Sequence, residues 1–70
     1  SIERHHIRPR SLGGPTSTKN VISLTQREHQ RVHDGLLEIR CRDAEKGADG
    51  LVDFFERSRI EDGWEWCRTT

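Results

Sequence analysis

The sequence predicts a small α+β fold: a ββα unit of two short strands and one helix, extended by a short antiparallel β-meander. Three observations support this prediction. A polar loop separates two short apolar segments, a helix with well-marked ends follows the second segment, and from residue 36 onward apolar residues recur with a period of two. The chain of 70 residues makes one domain with a thin core, because a chain this short buries only about 60% of its unfolded surface.

The first predicted elements are two strands joined by a loop. Residues 1–7 indicate a short strand. Residues 8–19 hold both prolines, two glycines and several hydroxyl side chains, a composition typical of a loop. Residues 20–24 have the sequence Asn-Val-Ile-Ser-Leu, and their β-branched and apolar side chains indicate a second strand.

A helix is predicted over residues 25–34, because local chemistry marks both of its ends. Thr25 and Glu28 have the spacing of a capping box, in which two side chains satisfy backbone N–H groups at the helix start. Gly35 stands where a helix favours a left-handed residue after its last turn. Such a short helix has to be held by packing or by a ligand.

The second half of the chain predicts a meander of three short strands. Alternating apolar and polar side chains place these strands at about 36–42, 51–57 and 63–68. Trp64 and Trp66 are expected in the core or on a sheet face rather than as stacking platforms for bases. We expect the meander to give the ββα unit a sheet to pack on, so that residues 1–35 form a core and residues 36–70 an extension of one domain.

The net charge of zero hides an uneven distribution. Residues 1–35 carry six basic and three acidic side chains, a balance of +3, together with all four histidines. Residues 36–70 carry six basic and nine acidic side chains, a balance of −3. The basic half suits contact with phosphates, although an ordinary solvated surface has a similar composition.

The setting of the chain is inferred from what the sequence lacks. No run is apolar enough to span a membrane. There is no signal-peptide pattern and no initiator Met, so we expect a cytoplasmic piece of a larger protein. The two cysteines, Cys41 and Cys67, are expected to be reduced structural side chains, with one disulfide as the alternative.

Three groups of residues could carry chemistry. His29 and His33 lie four residues apart on one helix face, where two imidazoles can bind one metal ion, although exposed histidine pairs are common on helices. His5 and His6 point to opposite faces of a regular strand, so one could bind metal and the other face substrate, provided that the strand twists or ends there. Asn20 alone indicates only a turn or a cap.

Taken in order, these segments resemble the HNH endonuclease family. The pattern of that family is a His-His-Ile-x-Pro doublet, a Gly-Gly loop, an Asn before a short apolar strand, and a His-x-x-x-His helix. The matching segments here are residues 4–14, 20–24 and 29–33. The resemblance covers about residues 3–35, and the tail from residue 36 onward carries no motif of the family.

The resemblance implies a β-β-α-metal nuclease domain, a hydrolase in which two strands and a helix hold one divalent ion. His6 is similar to the general base of the family, and His5, His29 and His33 resemble its metal ligands. Asn20 resembles the residue that tethers the loop and orients the base through hydrogen bonds between the strands.

General chemistry is consistent with these implied roles. Phosphodiester hydrolysis needs an activated water and a group that absorbs charge on the leaving oxygen. An imidazole with a pKa of about 6.5 can accept a proton at neutral pH, and a divalent ion can polarise the phosphoryl oxygen. Arg4, Arg8 and Arg10 are placed to bind flanking phosphates, with loop solubility as an equally good alternative.

One departure from the family pattern concerns the metal. Many HNH domains carry Cys-x-x-Cys pairs that bind a separate structural zinc ion, but here Thr25 and Glu28 stand where one such pair would fall. We therefore predict a single catalytic ion and no structural zinc. Three imidazoles suit Zn, Ni, Mn or Co, whereas Mg prefers oxygen ligands and would be held weakly.

The expected function is metal-dependent hydrolysis of DNA with little sequence specificity. One site in one chain would nick a strand, and a homodimer could cut both. Three alternatives stay open: a non-catalytic nucleic-acid-binding module stapled by metal, a DNA-binding domain with a degenerate site, and the same chemistry on RNA. A pure binder has no need of the second histidine in the His5-His6 doublet, which favours the nuclease.

Overall fold

A computed structural model describes residues 2–8 and 18–70 of the chain. In this part of the chain one α-helix and five strands follow one another as β1 (Ile2–His6), β2 (Val21–Thr25), α1 (Gln26–His33), β3 (Leu37–Cys41), β4 (Val52–Glu56) and β5 (Glu65–Thr69). Short 3-10 helices span Thr18–Asn20 and Gly47–Asp49. The predicted α+β class is confirmed, and every predicted strand and helix lies within two residues of an observed one.

The first sheet pairs β1 with β2 in an antiparallel register that sets Ile2 opposite Thr25 and His6 opposite Val21. Helix α1 follows β2 directly, and its start is the predicted capping box. The hydroxyl of Thr25 accepts from the backbone N–H of Glu28 at 3.1 Å, and a carboxylate oxygen of Glu28 accepts from the N–H of Thr25 at 3.0 Å. The backbone N–H groups at the helix start are thus satisfied locally.

The end of α1 also follows the sequence prediction. Gly35 has a φ of 77°, in the left-handed region. Its N–H donates to the carbonyl of Val32, and the N–H of Leu36 donates to the carbonyl of Arg31. This pair of bonds is a Schellman motif, which stops the helix and turns the chain into β3.

The second sheet is an antiparallel meander in the order β3-β4-β5. Its inner face supplies Leu37, Val52 and Phe54 to the core, and β2 supplies Leu24, which is fully buried. Side chains packed against this core from both sheets and from α1 are Ile22, Val32, Ile39 and Cys41. Leu24 therefore joins the two sheets through one small apolar cluster.

Neither tryptophan belongs to that core. Trp66 lies opposite Phe55 in the β4-β5 register and is 61% exposed, so its place is the sheet face. Its indole N–H donates to the hydroxyl of Thr69 at 3.1 Å. The apolar core would provide no acceptor for this N–H. Trp64 precedes β5 and is half-buried, with the guanidinium of Arg57 4.1 Å from its ring centre.

Both cysteines, Cys41 and Cys67, are free thiols. Burial raises the pKa of the Cys41 thiol, which disfavours its reactive thiolate form. Within residues 2–8 and 18–70, no helix has the length and apolar character needed to cross a membrane.

A carboxylate on the outer face of the meander makes stability depend on pH in the acid range. Arg42 forms two hydrogen bonds to Asp53, at 2.8 and 3.0 Å, and the hydroxyl of Thr69 donates to the same carboxylate at 2.6 Å. The bonds from Arg42, then the bond from Thr69, lower the pKa of Asp53 to about 2 from an ordinary 3.8.

Replacing Asp53 by Asn is expected to remove this acid sensitivity. Since the folded pKa lies below the unfolded one, the contribution of Asp53 is complete above about pH 4 and disappears as pH falls towards about 2. Thermal unfolding midpoints of wild type and Asp53→Asn should therefore converge over this interval. Glu45→Gln, at an exposed side chain outside the ion pairs of the described residues, is the control and should keep a constant offset. A constant offset for Asp53→Asn as well would contradict the prediction.

Candidate functional site

Strand β1 and helix α1 bring together two of the histidines singled out by sequence. Alternation along β1 places Glu3 and His5 on one face of the strand. The rings of His5 and His29 meet edge to face, with 5.1 Å between their centres and an interplanar angle of 65°. Glu3 lies beside them, with one carboxylate oxygen 2.6 Å from Nδ1 of His29. The antiparallel pairing of β1 and β2, followed directly by α1, builds this cluster.

His33 follows His29 by one helical turn and is exposed. A shallow cavity of about 370 Å³ opens beside the two histidines, lined by Glu3, Gln26, His29, Gln30 and His33. The cavity is large enough for a hydrated ion or a phosphate group. Its wall combines imidazole, carboxylate and amide groups, which can bind a cation or hydrogen-bond a polar substrate.

The surroundings of His5 favour a free lone pair on its imidazole. Partial burial, and then the neighbouring rings of His29 and His6, lower the pKa of His5, which keeps its ring neutral at pH 7. In neutral His29, a proton on Nδ1 is donated to the carboxylate of Glu3, so that Nε2 keeps its lone pair. A carboxylate on the second ring nitrogen is the usual partner of a histidine that binds metal.

The donor chemistry suits a borderline divalent ion, but the arrangement is incomplete. The imidazoles of His5 and His29 are suitable ligands for Zn, Ni, Mn and Co. Among the described residues, however, no group of three or more His, Cys, Asp and Glu side chains is arranged to hold an ion. The resemblance implies that His33 joins His5 and His29 as a third metal ligand, and this role stays a prediction.

Asn20 ties the segment after β1 to the start of β2. It is buried, with 6% of its surface exposed. Its Oδ1 accepts from the N–H of Arg8 at 2.8 Å and its Nδ2 donates to the carbonyl of Arg8 at 2.9 Å. The backbone carbonyl of Asn20 also accepts from the N–H of Ile7 at 2.8 Å. These three bonds fix the backbone that follows His6.

His6 is the last residue of β1, and alternation places it on the strand face opposite His5. It is half-buried. Within residues 2–8 and 18–70, no hydrogen bond or ring contact joins His6 to His29 or His33. The structure therefore separates the two neighbours of the doublet, with His5 towards α1 and His6 beside the backbone that Asn20 anchors.

Of the three arginines predicted to bind phosphates, Arg4 and Arg8 lie within the described residues. Arg4 and Arg8 are exposed, and neither makes an ion pair with another described residue. Arg10 lies outside the described residues. Arg4 shares its strand face with His6, so its free guanidinium is available on that side of β1.

Glu3 is the site residue that the sequence analysis did not identify. It was counted only as an acidic residue of the basic half. The signal that could have found it is its spacing, because in a strand a residue two positions before His5 shares its face. A carboxylate on the same face as a candidate ligand is a candidate partner for a ligating imidazole.

Comparison with known proteins identifies the first half of the chain. The family model described as HNH endonuclease matches residues 1–35. Comparisons with curated proteins and with solved structures gave no match. The matched segment spans β1, β2 and α1, which contain the whole histidine cluster, and the meander lies beyond it.

Proposed function

This chain belongs to the HNH endonuclease family, and on that basis we propose that it is a metal-dependent nuclease that hydrolyses DNA phosphodiester bonds with little sequence specificity of its own. The observation that carries the proposal is the contact of His5 with His29 beside Glu3, which lies within the matched segment. Residues 1–35 would be the catalytic core, and residues 36–70 an extension that packs on it.

In this proposal His5, His29 and His33 hold one divalent ion, which when bound supplies charge stabilisation at the phosphoryl and leaving oxygens. Glu3 holds the ring of His29 through Nδ1, at 2.6 Å, and thereby orients its free nitrogen. His33 is exposed, lies one helical turn from His29 and lines the same cavity, and in this proposal its imidazole completes the set.

His6 is the proposed general base. It takes a proton from the attacking water, and imidazole is the side chain best matched to this task near neutral pH. Asn20 is the proposed positioning residue, since its bonds to the backbone of Arg8 hold the chain just beyond His6. The separation of His5 and His6 onto two strand faces allows one to serve the ion and the other the water.

DNA is the proposed partner because the basic half of the chain carries the site. Arg4, Arg8 and Arg10 are proposed to bind phosphates that flank the scissile bond. Contacts of this kind go to the backbone and carry no base information, which agrees with low sequence specificity. With one site in each chain, a monomer would nick and a homodimer could cut both strands.

A plasmid assay tests the proposed function. Supercoiled plasmid is incubated with the protein and Mn, Ni, Co, Zn or Mg in turn, with and without EDTA. We expect open-circular DNA in the presence of the ions that accept imidazole ligands, and none with EDTA. His29→Ala should abolish nicking, whereas Gln30→Ala, at a residue lining the same cavity, should retain it.

Two results would contradict the proposal. Folded wild-type protein that binds Co²⁺ but never nicks would favour a non-catalytic nucleic-acid-binding module stapled by metal. Nicking that resists EDTA and survives His29→Ala would place the chemistry outside the histidine cluster. RNA incubated under the same conditions shows whether the activity is restricted to DNA.

A further inference from the structure

Helix α1 cannot fix its own position. It has eight residues, none of them fully buried, and its one apolar side chain, Val32, packs at the edge of the core; helices this short are marginal without further tertiary contacts. Yet α1 carries His29 and His33, which must face His5 on another element for one site to form. Besides the packing of Val32, the contacts that hold the two ends of α1 therefore set the geometry of the proposed site.

The first end is held by an arginine of β5. The guanidinium of Arg68 donates to Oε2 of Glu28 at 2.8 Å and lies 3.8 Å from the ring centre of Phe54, a core residue only 1% exposed. The other carboxylate oxygen of Glu28 completes the capping box with Thr25. Partial burial opposes the charge on Glu28, but the bonds from Thr25 and Arg68 outweigh it and lower its pKa.

The second end is held by an arginine that follows β4. Nε of Arg57 donates at 2.8 Å to the carbonyl of Gly35, the left-handed residue that follows the cap of α1. The guanidinium of Arg57 lies 4.1 Å from the ring centre of Trp64. Arg31 of the helix in turn donates to the backbone carbonyl of Arg57 at 3.3 Å.

Arg57 and Arg68 make the same combination of contacts, ring stacking and a hydrogen bond. A guanidinium can stack on an aromatic ring through its face while it donates hydrogen bonds in its plane, so that few rotamers stay open to it. Phe54 belongs to the meander and Trp64 precedes its last strand. Each arginine therefore connects one end of α1 to an aromatic side chain in the second half of the chain.

We propose that Arg57 and Arg68 are positioning residues for the histidine site: they hold the two ends of α1 and thereby set His29 and His33 against β1. This inference rests on the proposed function. It gives the meander, which lies outside the matched family segment, a part in the reaction. A displacement of about 1 Å in a catalytic constellation can reduce a rate by about a hundredfold.

The proposal separates position from stability. Arg68 is 44% exposed and Glu28 25% exposed, and ion pairs of this kind contribute little to the stability of a fold. Loss of the pair should therefore leave a folded protein whose helix is misplaced. Glu28→Gln is the sharpest variant, because Gln at this position can keep the capping box while the charge pair with Arg68 is lost.

The experiment compares Arg68→Ala, Arg57→Ala and Glu28→Gln with the wild type. Arg59→Ala is the matched control, since Arg59 is 71% exposed and, among the described residues, makes ion pairs only with Glu61 and Asp62. Two quantities are measured at a temperature where circular dichroism shows each protein folded. One is the nuclear Overhauser effect between the rings of His5 and His29, and the other is the Co²⁺ affinity by calorimetry.

We expect the ring contact to weaken and the Co²⁺ affinity to fall about tenfold in the three test variants, but not in Arg59→Ala. The double variant Arg68→Ala/Glu28→Gln should lose no more than Arg68→Ala alone, because Arg68→Ala already removes the contact that Glu28→Gln weakens. An unchanged ring contact and unchanged affinity in Arg57→Ala and Glu28→Gln would overturn the proposal.

Failure of the proposed function would look different. In that case wild-type protein does not nick plasmid, whether or not it binds Co²⁺, whereas the ring contact between His5 and His29 still reports where α1 lies. Loss of that contact in Glu28→Gln would support positioning by Arg68 even then, and its persistence would refute it.

Discussion

His6→Ala is expected to slow plasmid nicking by about a hundredfold to ten-thousandfold, the range found for loss of a general base. His6 ends β1 on the face opposite His5, so its removal should leave the contact between His5 and His29 in place. The backbone beyond it is held by Asn20 through Arg8 rather than by the imidazole. The variant should therefore fold and bind metal while it fails to activate water.

The assay for this variant measures nicking rate and Co²⁺ affinity on the same preparation. His33→Ala is the comparison, since loss of a proposed ligand should reduce both quantities. Added imidazole should restore part of the nicking by His6→Ala, because a small base can occupy the vacated space. If His6→Ala lost Co²⁺ binding together with nicking, His6 would be a ligand instead, and if it nicked at the wild-type rate the base would lie elsewhere.

Local chemistry made most of the fold predictable. The capping box of Thr25 and Glu28 and the left-handed Gly35 depend on residues a few positions apart, so their spacing alone was enough to bound α1. The period of two in the meander depends on one buried face, and Val52 and Phe54 supply it. The order of histidine motifs was likewise visible because it is a linear pattern.

Contacts between distant residues were not predictable in the same way. The bond of Glu3 to His29 joins positions 26 apart and exists only because the register sets Ile2 opposite Thr25. Arg68 reaches Glu28 across 40 positions. A sequence pattern reports which face a residue occupies, but not which long side chain of another element ends beside it.

The turn between β3 and β4 shows how large such a hidden contact can be. In the sequence, Gly47 is only one of the residues between the predicted strands at 36–42 and 51–57. In the structure it is buried with a φ of 55°, and a Cβ built on it would lie 2.2 Å from the backbone carbonyl oxygen of Lys19. Lys19 precedes Asn20. This turn of the meander therefore packs closely against the backbone beside Asn20, the residue that anchors the chain after His6.

Gly47→Ala is accordingly expected to destabilise the protein by about 2–4 kcal/mol, from a positive φ in an alanine and from overpacking against backbone. For a domain of this size that corresponds to a fall of at least about 10 °C in the unfolding midpoint. Gly63→Ala is the matched control, since a Cβ at Gly63 would meet nothing within 4 Å.

The added methyl group of Gly47→Ala should displace Lys19 and thereby alter the proposed site. If Asn20 moves, its two bonds to the backbone of Arg8 lengthen, and the chain beyond His6 loses its anchor. Nicking by Gly47→Ala, measured well below its unfolding midpoint, should therefore fall more than its folded fraction does, whereas Gly63→Ala should nick like the wild type. Equal unfolding midpoints for the two alanine variants would show that the turn yields to the added methyl group, and that the meander does not constrain the segment before β2.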